Sequence, residues 1–253
     1  MILMTWHELL PYVIFAVTFI ASILSGMAGG GGGFIITPFY IAIGLTPQQS
    51  IATGKLGALG LDAGAIAAFR GKIKEYKNFT FLLMVIAIMV GFLSSYFIRN
   101  IKNENLQLVM GIMNLALMPL LFVRHHKLKS RRKHYVLRFL SVLVIMVILL
   151  LQGTFSSGIG SLVNLFLILF FGFSALEANL IKRQTSIALD IVVLAGLLGA
   201  GLINYKYGLI GMAGGLSGGY IGSRFALHEG EKFARYALMF FMLVSGIWLI
   251  ATA

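Results

Sequence analysis

The run Gly29-Gly30-Gly31-Gly32-Gly33, continuing as FIITPFYIAIGLTPQQSIATGKLGALGLDAGAIAAF to residue 69, holds the strongest structural signal in the chain. Each glycine inside a helix costs roughly 1 kcal/mol relative to alanine, so five in succession predict a break. Apolar sequence nevertheless flanks the run on both sides, over 9–28 and 34–45, and Pro38 and Pro47 punctuate the downstream side. Non-helical backbone between apolar segments persists at membrane depth only where it is buried in protein or lines a wet cavity. The break is therefore the first functional pointer.

Around this run, the 253 residues are 59% hydrophobic and 11% charged, with mean hydropathy +0.94. A soluble domain carries about 25% charged residues, so this composition excludes one and implies a polytopic membrane protein. Further apolar stretches read at 51–69, 79–98, 106–123, 139–155, 161–175, 184–203, 208–227 and 233–253. Several reach the roughly 20 residues needed to cross as helix. The stretches 34–45 and 161–175 do not, and the second follows another break, Ser156-Ser157-Gly158-Ile159-Gly160. Only His7 and Glu8 carry ionisable groups before the first stretch, which lacks the positive flank of a cleaved leader.

Charge orients the chain. If all ten stretches change sides, Arg70 to Lys77, Arg124 to Arg138, Lys182/Arg183 and Arg224 to Arg235 share one face, with 16 of the 20 basic residues. Lys55, Arg99, Lys102 and Lys206 take the other. Cytoplasmic loops collect Lys and Arg, so the first face is predicted cytoplasmic and both chain ends non-cytoplasmic. The net charge of +12 then reflects loops facing anionic lipid and not nucleic acid. The predicted location is a bacterial cytoplasmic (inner) membrane.

Displacing the sequence by 128 residues aligns Gly30 with Gly158, Gly32 with Gly160, Gly44 with Gly172, Thr46 with Ser174, Lys55 with Arg183, Leu61 with Leu189 and Asp62 with Asp190. At 127, Gly91 meets Gly218 and Glu104 meets Glu231. Two transmembrane repeats are predicted, 1–123 and 139–253, joined by the basic cytoplasmic linker 124–138. An odd five stretches per half inverts the second repeat relative to the first. The expected fold is all-α, with eight full spans and two short interrupted or re-entrant helices. Inverted repeats with broken helices near the midplane are a recurring architecture of secondary transporters.

Lys55, Asp62, Arg183 and Asp190 are the ionisable residues within or at the mouth of apolar stretches. A charge at membrane depth costs at least ~2.5 kcal/mol, so each requires compensation. Lys55 with Asp62, and Arg183 with Asp190, are i, i+7 pairs about 10.5 Å apart along a helix, too far for a direct ion pair. An anion, water or a residue of another helix could fill the space. Two readings stay open: the cations snorkel to the two interfaces, or they converge on a shared anion site. Glycine N–H groups at a helix start can hold an anion. The candidate substrate site comprises Lys55, Arg183, Gly30, Gly31, Gly32, Gly33, Thr53, Gly54, Gly158, Gly160 and Gln184. Asp62 and Asp190 are candidates for proton coupling. Further polar candidates include Thr37, Gln152, Asn164 and Asn179.

Gly211, Gly215 and Gly219 form one i, i+4 ridge and Gly214, Gly218 and Gly222 another, read as surfaces for close helix packing. The five histidines fall at span ends or loops and the chain has no Cys. No catalytic group, metal site or cofactor is therefore expected.

The glycine break followed by FIITPFYIAIGLTPQQSIATGKLGAL, together with IGMAGGLSGGYIGSRFAL ahead of Glu231, resembles the signatures of the sulfite exporter TauE/SafE family of membrane permeases. The resemblance covers nearly the whole chain. It implies a permease for small sulfur-containing or organic anions such as sulfite or sulfonates. The matching positions are the glycine break, Ala52-Thr53-Gly54-Lys55, and Glu177-Ala178 with Lys182-Arg183. A negative cytoplasm would drive a monovalent anion outward with ~2.3 kcal/mol per 100 mV, which favours export. A permease for a cation or neutral metabolite, or a non-transporting membrane scaffold, is the alternative.

Overall fold

The computed structural model describes residues 6–71, 73, 75–119, 135–156, 158–227 and 231–253. Among these the regular structure is all helical: α1 (Trp6–Ala28), α2 (Gly33–Ala42), α3 (Pro47–Phe69), α4 (Lys77–Asn100), α5 (Asn103–Leu117), α6 (Tyr135–Phe155), α7 (Gly160–Phe171), α8 (Ala175–Leu197), α9 (Tyr205–Ala226) and α10 (Glu231–Ala251). Residues 124–134 of the predicted linker lie outside the described residues, as do His125, His126, His134 and His228; residues 135–138 open α6.

Local chemistry sets the helix starts in the same way in each half. Thr46 accepts from the Gln49 N–H and Gln49 answers to the Thr46 N–H, a capping box that starts α3 at Pro47. Ser174 and Glu177 do the same for α8, 128 residues on. Each helix is 23 residues long. Gly44 and Gly172 both take left-handed φ, 98° and 72°, to turn the chain into these caps. The sequence reading therefore needs correction at α8. Its apolar stretch opens at 184, but the cap starts the helix at Ala175, so Lys182 and Arg183 lie two turns inside and belong to no loop.

Residue contacts give the helix directions. On α9, Gly214, Gly218 and Gly222 meet α1 backbone near Phe15, Phe19 and Ile23 in rising order, so α1 and α9 are parallel. Gly215 and Gly219 meet Gly57 and Leu61, making α3 parallel to both. The two predicted ridges thus contact two different neighbours. In the other half Gly91 on α4 abuts the Leu189 carbonyl, as Gly219 abuts that of Leu61. In space Gly91 therefore corresponds to Gly219, one residue from the Gly218 match read in sequence. Each repeat lends a helix to its mate: α9 packs with α1 and α3, and α4 with α6 and α8.

Parallel α1 and α3 mean that α1 and α2 form a hairpin entering and leaving on one face. At 10 and 12 residues, α2 and α7 extend only about 15 and 18 Å, short of a ~30 Å crossing. The hairpin α6–α7 enters from the opposite face and the two turns touch. A Cβ on Gly33 would stand 1.9 Å from the Ser156 carbonyl oxygen, and one on Gly30 would lie 3.2 Å from the Ser161 nitrogen. Gly29 and Gly31 (φ 81° and 100°), Ser156 (51°) and Gly158 (60°) make the turns. Glu8–Ala28, Lys77–Asn100 and Ala175–Ala200 are long and apolar enough to cross a membrane. Exposed Phe81, Met89 and Phe92 on α4 and Phe233, Phe240 and Ile247 on α10 supply lipid-facing surface. The chain is an integral membrane protein.

Candidate functional site

The buried charges meet where the hairpin turns meet. Lys55 Nζ donates to Asp190 Oδ1 at 2.7 Å, and Arg183 Nη1 donates to Asp62 Oδ1 at 2.7 Å. Each pair joins α3 to α8, and 55 with 190 then 62 with 183 run in opposite senses, so these helices are antiparallel. Since 55 corresponds to 183 and 62 to 190, exchanging the repeats exchanges the two ion pairs. A pseudo-two-fold axis perpendicular to α3 and α8 passes between them, which is the inversion expected from five segments per repeat.

Lys55 and Arg183 are 1% and 0% exposed, which excludes snorkelling to an interface. Arg183 also donates through Nη2 to the Ser25 carbonyl at 3.0 Å and through Nε to Asn179 Oδ1 at 2.8 Å. Its fork thus ties α8 to α1 and α3, a bidentate role a lysine cannot reproduce. Lys182 Nζ stands 3.6 Å from Asp62 Oδ1, which already accepts from Arg183. Among the described residues, the buried charged side chains are Lys55, Asp62, Lys182, Arg183 and Asp190.

A cavity of about 70 Å³ opens among them, enough for several waters or a small anion, since one water needs ~10–15 Å³. Lys55, Asp62, Lys182 and Asp190 reach it, with Gly31, Gly32, Gly33 and Gly54 from the first repeat and Gly158 and Gly160 from the second. Gly33 and Gly160 open α2 and α7 here, where the N–H groups of Phe34, Ile35, Ser161 and Leu162 already bond to the carbonyls of Gly31, Gly32, Gly158 and Ile159. Gly31 and Gly158 are required by their left-handed φ and Gly33 by its contact with the Ser156 carbonyl, whereas Gly54 has room for a Cβ. A Cβ on Gly160 would fall 2.5 Å from Lys182 Cε, and one on Gly158 2.2 Å from Phe34 Cε2.

Other candidates stand elsewhere. Arg183 lies behind Asp62 and does not line the cavity. Gly30 packs on Ser161. Thr53 Oγ1 accepts from the Asn204 N–H at 3.0 Å, fixing the start of α9. Gln184 faces a separate groove between α3, α4 and α8 with Glu75, Thr80 and Phe81. Asn164 donates to the Gly29 carbonyl and so holds one turn to the other. Lys182, Ser25 and Ser156 are cavity residues absent from the sequence-derived site. Hydropathy hides Lys182 by placing it in a loop; the Ser174/Glu177 capping box is the signal that could have placed it.

The sequence pattern of the sulfite exporter TauE/SafE family matches residues 14–249. Among curated proteins, the chain is 26% identical over 241 residues to a probable membrane transporter protein of Haemophilus influenzae, covering 92% of each chain. It is 24% identical to the probable membrane transporter protein ORF9 of a Sinorhizobium species, over 94% of this chain and 91% of the other. It is 26% identical to the probable membrane transporter protein YfcA of Escherichia coli K12, over 90% and 84%. Comparison with solved structures gives no significant match.

Proposed function

The chain belongs to the sulfite exporter TauE/SafE family, and on that basis we propose that it is a permease carrying small sulfur-containing or organic anions outward through the central cavity. One observation carries the reading: among the described residues, the protein buries Lys55, Lys182 and Arg183 against Asp62 and Asp190 around a small cavity. Burying uncompensated charge is expensive, so an excess of cations beside a cavity fits a site completed by an anion. The positive ends of the α2 and α7 helix dipoles lie on the same side of the balance. Lys55 and Lys182 are the direct ligands in this reading, and Arg183 acts through Asp62. The chain is no enzyme in this reading: it binds and releases its substrate unchanged.

The architecture suits alternating access. The two hairpins approach from opposite faces and meet at the cavity, so opening one turn or the other would expose the same site to each side. The face carrying Arg70, Lys77 and Arg224 is the cytoplasmic one in this reading, by the positive-inside rule, in a bacterial inner membrane. The membrane potential then favours anion efflux without coupling. Proteoliposomes loaded with radiolabelled sulfite or methanesulfonate test the reading. Efflux above protein-free vesicles supports it, and efflux of both anions at the protein-free rate contradicts it.

A further inference from the structure

Lys182 has no counterpart in the first repeat. The register that places Lys55 on Arg183 and Asp62 on Asp190 puts Gly54 opposite Lys182. Both positions border the cavity, one as a bare backbone and the other as an ammonium. Gly160 lies beside Lys182 Cε, and its counterpart Gly32 leaves the equivalent space next to Gly54 without an ammonium. Gln152, whose Oε1 is buried without a partner, lines the same space.

The ion pairs leave Lys182 least committed. Lys55 holds Asp190 at 2.7 Å and Arg183 holds Asp62 at 2.7 Å, while Lys182 reaches only an Asp62 oxygen already engaged, at 3.6 Å. With every group in its ordinary ionised form, the two symmetric pairs cancel and Lys182 leaves one positive charge over. Resting on the anion-permease reading, we infer that the transported species is a monoanion and that Lys182 sets this charge. A single negative charge neutralises the buried cluster. A dianion leaves the cluster negative by one and must enter with a proton or not at all. A neutral molecule leaves Lys182 uncompensated.

Proteoliposome flux of methanesulfonate, a monoanion, and sulfate, a dianion of similar tetrahedral shape, tests the inference. The cost of one uncompensated charge at membrane depth, at least ~2.5 kcal/mol, corresponds to roughly seventyfold, so the wild type should carry methanesulfonate at least that much faster. Lys182→Met removes the surplus and should abolish methanesulfonate flux. Asp190→Asn raises the surplus to two and should shift preference towards sulfate. The double variant Lys182→Met/Asp190→Asn restores a surplus of one, and methanesulfonate preference should return, which damage to folding cannot produce. Equal wild-type flux of the two anions, or unchanged methanesulfonate flux in Lys182→Met, overturns the inference while leaving the permease reading standing. A wild type that carries sulfite but no methanesulfonate under alkaline conditions, where sulfite is a dianion, does the same. A wild type that carries none of the three overturns both.

Discussion

Lys55 on α3 donates to Asp190 on α8 at 2.7 Å and makes no bond to Asp62, seven residues along its own helix. The repeat-related cation Arg183 reaches Asp62 at the same distance. The two halves of the chain therefore neutralise one another, and neither repeat is electrostatically complete alone. Breaking a buried pair by removing one partner costs about 3–5 kcal/mol because the other charge is stranded. Lys55→Met should lower the unfolding temperature in detergent, and adding Asp190→Asn in the same chain should recover most of the loss.

Arg183 should resist conservative replacement. Its guanidinium serves Asp62, the Ser25 carbonyl and Asn179 at once. A lysine offers a point charge in place of the fork, and each hydrogen bond to a charged group that is lost costs about 1.5–3 kcal/mol. Arg183→Lys should be clearly destabilised by thermal unfolding, with Asn179→Ala showing a smaller loss.

Helix approach at the glycine ridges is close enough to forbid a methyl group. A Cβ on Gly215 would lie 2.3 Å from the Gly57 carbonyl oxygen, whereas one on Gly199 would meet nothing within 4 Å. Overpacking typically costs about 1–3 kcal/mol. Gly215→Ala should therefore lose stability in that range and Gly199→Ala should not, as measured by thermal unfolding of the two variants side by side.

The hairpins fix which loops share a face. The Cys-free sequence permits single-cysteine labelling from either side of the membrane. Exposed Ala42→Cys and Ala200→Cys should react with an impermeant maleimide from one face and Glu75→Cys from the other. A continuous span through α1 and α2 would instead separate Ala42 from Ala200.

Much of this fold is legible in the sequence, and the limits are physical. Glycine runs and hydropathy place the two breaks and all ten segments, because consecutive glycines between apolar stretches make a continuous helix too costly. The halves are legible because polar residues recur at fixed spacing: Thr46 with Ser174, Lys55 with Arg183, Asp62 with Asp190. The partners of those charges are not. An i, i+7 spacing constrains one helix and carries no information about which other helix supplies the counter-ion. Hydropathy also fails at Lys182 and Arg183, since it scores a cation as solvent-seeking whether or not Asp62 awaits it. The exchange of α4 and α9 between repeats leaves no trace in either half, because lipid-facing and partner-facing glycine ridges look alike in sequence.

Whether an anion completes the charge cluster between the hairpin turns can be read from equilibrium binding of radiolabelled sulfite to the purified protein in detergent. Saturable binding at one site per chain is expected, lost in Lys55→Met and in Lys182→Met and retained in Lys206→Met, whose lysine lies at the start of α9 outside the cavity. Sulfite binding that survives unchanged in both cavity-lysine variants would contradict an anion site at this cluster.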